Sequence, residues 1–183
     1  MIDTRTVVLV EGVSDKAAVE ALAARRGRDL AAEGVTVVAM GGATNIGAYL
    51  RKYAGSGLRL AGLCDAREED DFRRGLERAG LAPDPDSLEG LGFFVCDADL
   101  EDELIRALGP AAVERVIDAE GELGSFRTLQ KQPGWRGRDP HDQLRRFMGS
   151  GSGRKIRYSA LLVAALDPGR VPRPLDRLLE HLS

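Results

Sequence analysis

The segment Thr6-Val7-Val8-Leu9-Val10 constrains this chain more than any other. Five consecutive apolar or β-branched residues have no polar alternation, so they read as a strand buried on both faces. A strand of that kind belongs in the middle of a sheet with helices on either side. The run stops at Glu11-Gly12, and the apolar positions Ala17, Ala18, Ala21 and Leu22 then follow helical spacing to about Gly27, with Ser14 as the expected N-cap. The pattern repeats. Val35 to Met40 reads as a second strand stopped by Gly41-Gly42, with a helix from about Thr44 to Tyr53. Leu58 to Leu63 reads as a third, ending in Cys64-Asp65, with a charged helix from about Glu68 to Ala79. The turn-forming Pro83-Asp84-Pro85-Asp86 leads to a fourth, Gly92 to Val95. Strand–helix alternation at these lengths predicts a mostly parallel, four-stranded α/β sheet flanked by helices.

After Asp99 the pattern becomes purely helical. Segments are expected at 100–108, 111–120, 125–131, 141–147, 155–166 and 175–182, separated by loops at 132–140 and at Gly149-Ser150-Gly151-Ser152-Gly153. The expected plan is an α/β core over residues 1–100 and a helical C-terminal extension over 101–183 that completes the same domain.

Composition narrows the chemistry. Cys64 and Cys96 each end an apolar run and read as small buried thiols, and His141 and His181 are far apart, so neither a disulfide framework nor a zinc site is expected. The longest apolar stretch, near Leu161 to Leu166, is too short to span a bilayer, and the N-terminus lacks a signal-peptide pattern. A cytoplasmic location without membrane partners is the expectation. The net charge of −3 is unevenly spread: between Lys131 and Arg157 eight basic residues face two aspartates, which leaves −9 for the rest. An acidic centre beside a phosphate-binding surface fits that split, as does a solvated helical face.

Three of the four expected strands end in acids: Glu11 after Val10, Asp65 after Cys64, and Asp97 and Asp99 shortly after Val95. In open parallel sheets ligands bind outside the carboxyl ends of the strands. Asp15 lies one helical turn beyond Glu11. Carboxylates converging there repel one another, and a divalent cation held by oxygen ligands, magnesium or manganese, removes the conflict. Any one such acid is also an ordinary helix cap or turn former.

These residues reach a recognisable pattern. Leu9-Val10-Glu11-Gly12-Val13-Ser14-Asp15-Lys16 followed by a helix resembles the opening motif of TOPRIM domains, which topoisomerases, bacterial primases, small RNA maturases and OLD-family (overcoming lysogenization defect) nucleases share. The OLD-family version is the most similar. The likeness continues in order through Val37 to Asn45, Leu100 to Ile105, and Gly151 to Tyr158. It implies a TOPRIM-like fold, one or two Mg2+ or Mn2+ ions, and metal-dependent endonuclease hydrolysis of phosphodiester bonds in nucleic acid, DNA first. By this resemblance Glu11 is a metal ligand and acid–base group, Asp15 and Asp65 are further ligands, Asp99 and Glu101 face a second metal, and Lys155 steadies charge on the scissile phosphate. Gly42, Arg67, Arg154 and Arg157 are the expected phosphate or nucleic-acid contacts.

Two departures stand out. Two residues after Asp65, where the family carries a second Asp, stands Arg67; Glu68 or Glu69 is placed to reach in instead. The family also usually couples this domain to an ATPase, yet no Gly-x-x-x-x-Gly-Lys-Ser/Thr loop occurs, so any ATPase is expected to be a separate partner or absent. Both departures suit a second reading, a weakly catalytic or non-catalytic TOPRIM module that binds metal and nucleic acid or a partner ATPase. A receiver- or phosphatase-like protein with Asp65 as nucleophile is a third.

Overall fold

The structure, a computed structural model, describes residues 4–81, 88–151 and 153–183. The expected turn at Pro83 to Asp86 and Ser152 of the glycine–serine loop lie outside the described residues. Four strands, β1 (Thr6–Val10), β2 (Val35–Ala39), β3 (Arg59–Asp65) and β4 (Phe93–Cys96), form one sheet in the order β2-β1-β3-β4, every pair parallel. All their carboxyl ends therefore open on one side. The chain runs from β1 out to β2 and then back past β1 to β3, so the order reverses between β1 and β3. A crevice at such a reversal is the characteristic binding position of an open α/β sheet.

Period-two alternation splits β1 between two apolar layers. Val8 and Val10 face one cluster with Ala18, Val19 and Leu22 of α1 (Val13–Arg25), while Val7 and Leu9 face a smaller one. That smaller layer is closed by Ile46 and Leu50 of α2 (Ile46–Tyr53) and by Phe72 and Leu76 of α3 (Glu69–Arg78). The larger layer continues without a break into the helical half. That half comprises α4 (Leu100–Leu108), α5 (Pro110–Ala119), α6 (Leu123–Lys131), α7 (Pro140–Met148), α8 (Arg154–Ala165) and α9 (Arg173–His181). Among the described residues no helix is long and apolar enough to cross a membrane.

Local chemistry explains where the elements meet. Gly62 of β3 pairs with Leu9 of β1, and a Cβ there would sit 2.4 Å from the Leu9 carbonyl oxygen and 2.9 Å from the Phe93 ring, so glycine alone lets these two strands and Phe93 close up. The start of α1 differs from expectation. Gly12, not Ser14, is the N-cap, because the Asp15 carboxylate reaches back and accepts the Gly12 amide at 2.8 Å, so the helix begins earlier, at Val13. Helix α8 lies along α1, and the Arg25 guanidinium near the end of α1 donates to the Val163 carbonyl near the end of α8 at 2.8 Å. The two helices thus run side by side in the same direction, which brings Lys155, at the start of α8, to the start of α1.

Candidate metal centre

Each acidic side chain at the open end of the sheet is aimed by its own element. Glu11 follows β1 directly, and its carbonyl oxygen accepts the amides of Gly41 at 2.9 Å and Gly42 at 3.2 Å. Both glycines have positive φ, 76° and 129°, a backbone that side-chain-bearing residues rarely adopt, so the turn after β2 holds the Glu11 main chain only because it is glycine. The Gly42 amide is spent on this contact. Asp65 closes β3, and a single 3-10 turn over Ala66–Glu68 follows it. That turn sends Arg67 outward to solvent and folds Glu68 back. Oxygens of Glu11, Asp65 and Glu68 lie within 4.8 Å of one another. Glu69, the other candidate to replace the missing aspartate, is instead ion-paired with Arg73 one helical turn on, at 2.6 Å.

The energetics of this trio are those of acids short of positive charge. A hydrogen bond to the Glu68 carboxyl, then burial, then the Glu68 charge push Glu11 up to about 7, against the pull of Lys155 and Arg67. Burial, followed by the charges of Glu11, Asp15 and Asp99, pushes Asp65 up to about 7, opposed by Lys155. Asp15 is raised chiefly by burial in spite of its bond from Gly12, and Glu101 is raised chiefly by burial in spite of Lys155. The field of Lys155 reaches Glu11, Asp15, Asp65 and Glu101 alike. Its ammonium lies 3.8 Å from Glu101, whose side chain is only 10% exposed.

Two buried carboxylate oxygens, Oε2 of Glu68 and Oε2 of Glu101, have no hydrogen-bond partner. A buried anionic oxygen without a donor is costly, and a divalent cation is the partner such a set of hard oxygen ligands takes. The residues present therefore fit a metal ion, with Glu11, Asp65 and Glu68 as the convergent ligands.

The remaining residues divide. Asp99 stands at the rim with both oxygens engaged, one accepting the Asp102 amide at 2.8 Å as the N-cap of α4, the other ion-paired with Arg145. Arg154 is 2.9 Å from Glu122, and Arg157 is 2.5 Å from the same carboxylate, and both line a separate cleft with Glu122, Gly151 and Gly153. Glu122 thus engages the two arginines that were expected to contact phosphate or nucleic acid. Sequence reasoning named Glu68 only as an option and missed Arg145 altogether. In a 3-10 turn residues three apart share a direction, so this turn brings Glu68 round to the side of Asp65.

Comparison with known proteins agrees with this geometry. Residues 4–66, which include β1, α1, β2 and β3, match the family described as overcoming lysogenization defect protein-like, TOPRIM domain. No curated protein matches the chain. Among solved structures, a C-terminal region of the Xanthomonas campestris pv. campestris OLD protein, phased with mercury, superposes with a TM-score of 0.73 at 23% identity, covering 100% of this chain and 96% of that one. The C-terminal region of the Burkholderia pseudomallei OLD protein gives 0.70 at 22% identity, covering 98% and 96%. At these identities the superpositions establish the fold, and they do so over both the sheet and the helical half.

Proposed function

We propose that this chain, which has an OLD-like TOPRIM match over residues 4–66 and the fold of OLD C-terminal regions throughout, is a divalent-metal-dependent endonuclease that hydrolyses phosphodiester bonds of DNA. The observation that carries the reading is the convergence of Glu11, Asp65 and Glu68 at the reversal point of the sheet, with raised proton affinity and an orphaned oxygen. Glu11, Asp65 and Glu68 would hold one Mg2+ or Mn2+ ion. Asp15 and Glu101, across Lys155, would serve a second, with Asp99 orienting Glu101's helix through its cap. When bound, the cation supplies positive charge that polarises the phosphoryl group and lets a water ionise near neutral pH.

The chain's own residues do the rest. Glu11, beside the cation, would accept a proton from the attacking water and pass it on. Lys155, half exposed and facing the acids, balances charge that builds on the phosphate during attack. Arg67 stands exposed beside Glu11, placed for a non-bridging phosphate oxygen. Gly41 and Gly42 hold the Glu11 main chain while its side chain works.

The weakly catalytic alternative rested on Arg67 replacing an acid and on the missing ATPase loop, and the geometry bears on the first of these. Glu68 provides that acid one position later, which favours the nuclease. Nicking of supercoiled plasmid in magnesium or manganese tests it: wild type is expected to nick, and Glu11→Ala is not. Absence of metal-dependent nicking by wild type, or equal nicking by the variant, overturns the reading.

A further inference from the structure

Beside the acids lies a cleft of about 440 Å³ whose far wall is of opposite character. Asp99, Glu101 and Lys155 form the near side; Trp135, Arg138, Arg145 and Arg146 line the other, with Asp142 as the one acid among them. The volume falls in the range of about 300–1,000 Å³ typical of small-ligand sites. Trp135 is the only tryptophan of the chain and is half-buried, resting against the edge of the larger apolar layer. The Arg138 guanidinium lies 5.1 Å and that of Arg146 5.9 Å from its ring centroid.

The arrangement is built, not incidental. The buried Gln143 side chain donates to the Trp135 carbonyl at 2.7 Å and is fixed in turn by Gln130 at 2.8 Å. Arg138 is anchored through Nε to the Gly134 carbonyl at 2.8 Å, which leaves its terminal nitrogens free to donate. Among the described residues neither Arg138 nor Arg146 pairs with a carboxylate, although Arg145, next to Arg146 on α7, is ion-paired with Asp99. An aromatic plane flanked by unpaired guanidiniums offers π surfaces for a base and positive charge for its phosphate.

We infer that this cleft is a subsite for an unpaired nucleotide next to the scissile phosphate, whose base stacks on the Trp135–arginine layer while Arg138 and Arg146 contact its phosphate. A base inside an intact duplex presents no free face, so the substrate class is nucleic acid that is single-stranded, or locally melted, at the cleavage position. The inference rests on the nuclease reading for the word scissile, but the binding it describes does not need cleavage.

The lone tryptophan makes the test direct. Single-stranded oligothymidylate is titrated against the full chain in calcium, with a blunt duplex of equal length as control, following intrinsic fluorescence. Saturable quenching by the single strand, and little by the duplex, is expected. With fluorescein-labelled single strand, Trp135→Ala is expected to bind about tenfold more weakly, in line with loss of one base stack. Arg138→Ala and Arg146→Ala, both at the surface, should each weaken binding by about threefold and flatten its salt dependence. No single-strand binding, saturation without a fluorescence change, stronger duplex binding, or unaltered affinity in both arginine variants would each overturn the subsite. The two readings fail separately. Glu11-dependent nicking with a silent Trp135 leaves the nuclease and removes the subsite; quenching without nicking does the reverse.

Discussion

Two acidic groups a few residues apart in space have opposite fates. Around Asp102 every carboxylate oxygen has a donor: His141 Nε2 on one side at 2.7 Å, Arg106 Nε on the other at 2.7 Å, with Arg145 and the Asp102 amide closing on Asp99. Around Glu11 and Asp65 no such partners exist, and no ion pair within 4 Å reaches Glu11, Asp15, Asp65 or Glu68 among the described residues. The first group has its countercharge written into the chain and holds α4 against α7. The second has no countercharge, and the hydrogen bond to the Glu68 carboxyl and burial raise the proton affinity of Glu11 instead. Acids satisfied by the protein are architecture, and acids left short are places for something else.

The largest expected effect falls on the unsatisfied group. Glu11→Ala should lower the nicking rate by about a thousandfold or more if Glu11 acts as an acid–base group, while leaving the melting temperature near wild type. Lys155→Ala should cost about a hundredfold in rate, read as a change in kcat more than in KM. Metal itself sharpens the contrast. Manganese at a hundred times its Kd should stabilise wild type by about 2.7 kcal/mol, several degrees in Tm, and Glu68→Ala should lose most of that gain. Asp102→Ala should do the opposite, lowering the metal-free melting point by about 2 kcal/mol through its stranded arginine and histidine partners while keeping the metal-induced rise.

The smallest effect is in pH. A carboxyl whose folded proton affinity is raised is protonated more readily in the folded protein than in the unfolded one. Its contribution is therefore favourable in acid and is lost as pH rises from the ordinary carboxylate range to about 7. Metal-free protein should melt a few degrees lower at pH 8 than at pH 5.5, and Glu11→Gln should flatten that slope. Metal should reverse it, because a cation binds the deprotonated carboxylates and so displaces protons from Glu11 and Asp65.

Much of this architecture was legible because β1, β2 and β3 carry continuous apolar runs and their acids fall at fixed offsets from the strand ends. The four strands and the six C-terminal helices lie within a few residues of their expected places. Glu11, Asp15, Asp65, Glu101 and Lys155 were readable from motif order, and the fold brings them to one end of the sheet. Glu68 was not fixed in advance, since whether residue 67 or 68 turns inward depends on a single 3-10 turn that no periodicity signals. The partners of Asp99, Arg154 and Arg157 were invisible for a different reason. Arg145 and Glu122 are separated from them by 46 and 32 to 35 residues, and such pairings come from packing of helices, not from local pattern.

One measurement meets the central claim most directly. Crystals soaked in manganese and measured at the manganese edge should give an anomalous peak between the carboxylates of Glu11, Asp65 and Glu68, with Arg67 still turned to solvent. No peak there under soaks that saturate solution binding, or a peak ligated without Glu68, would contradict it.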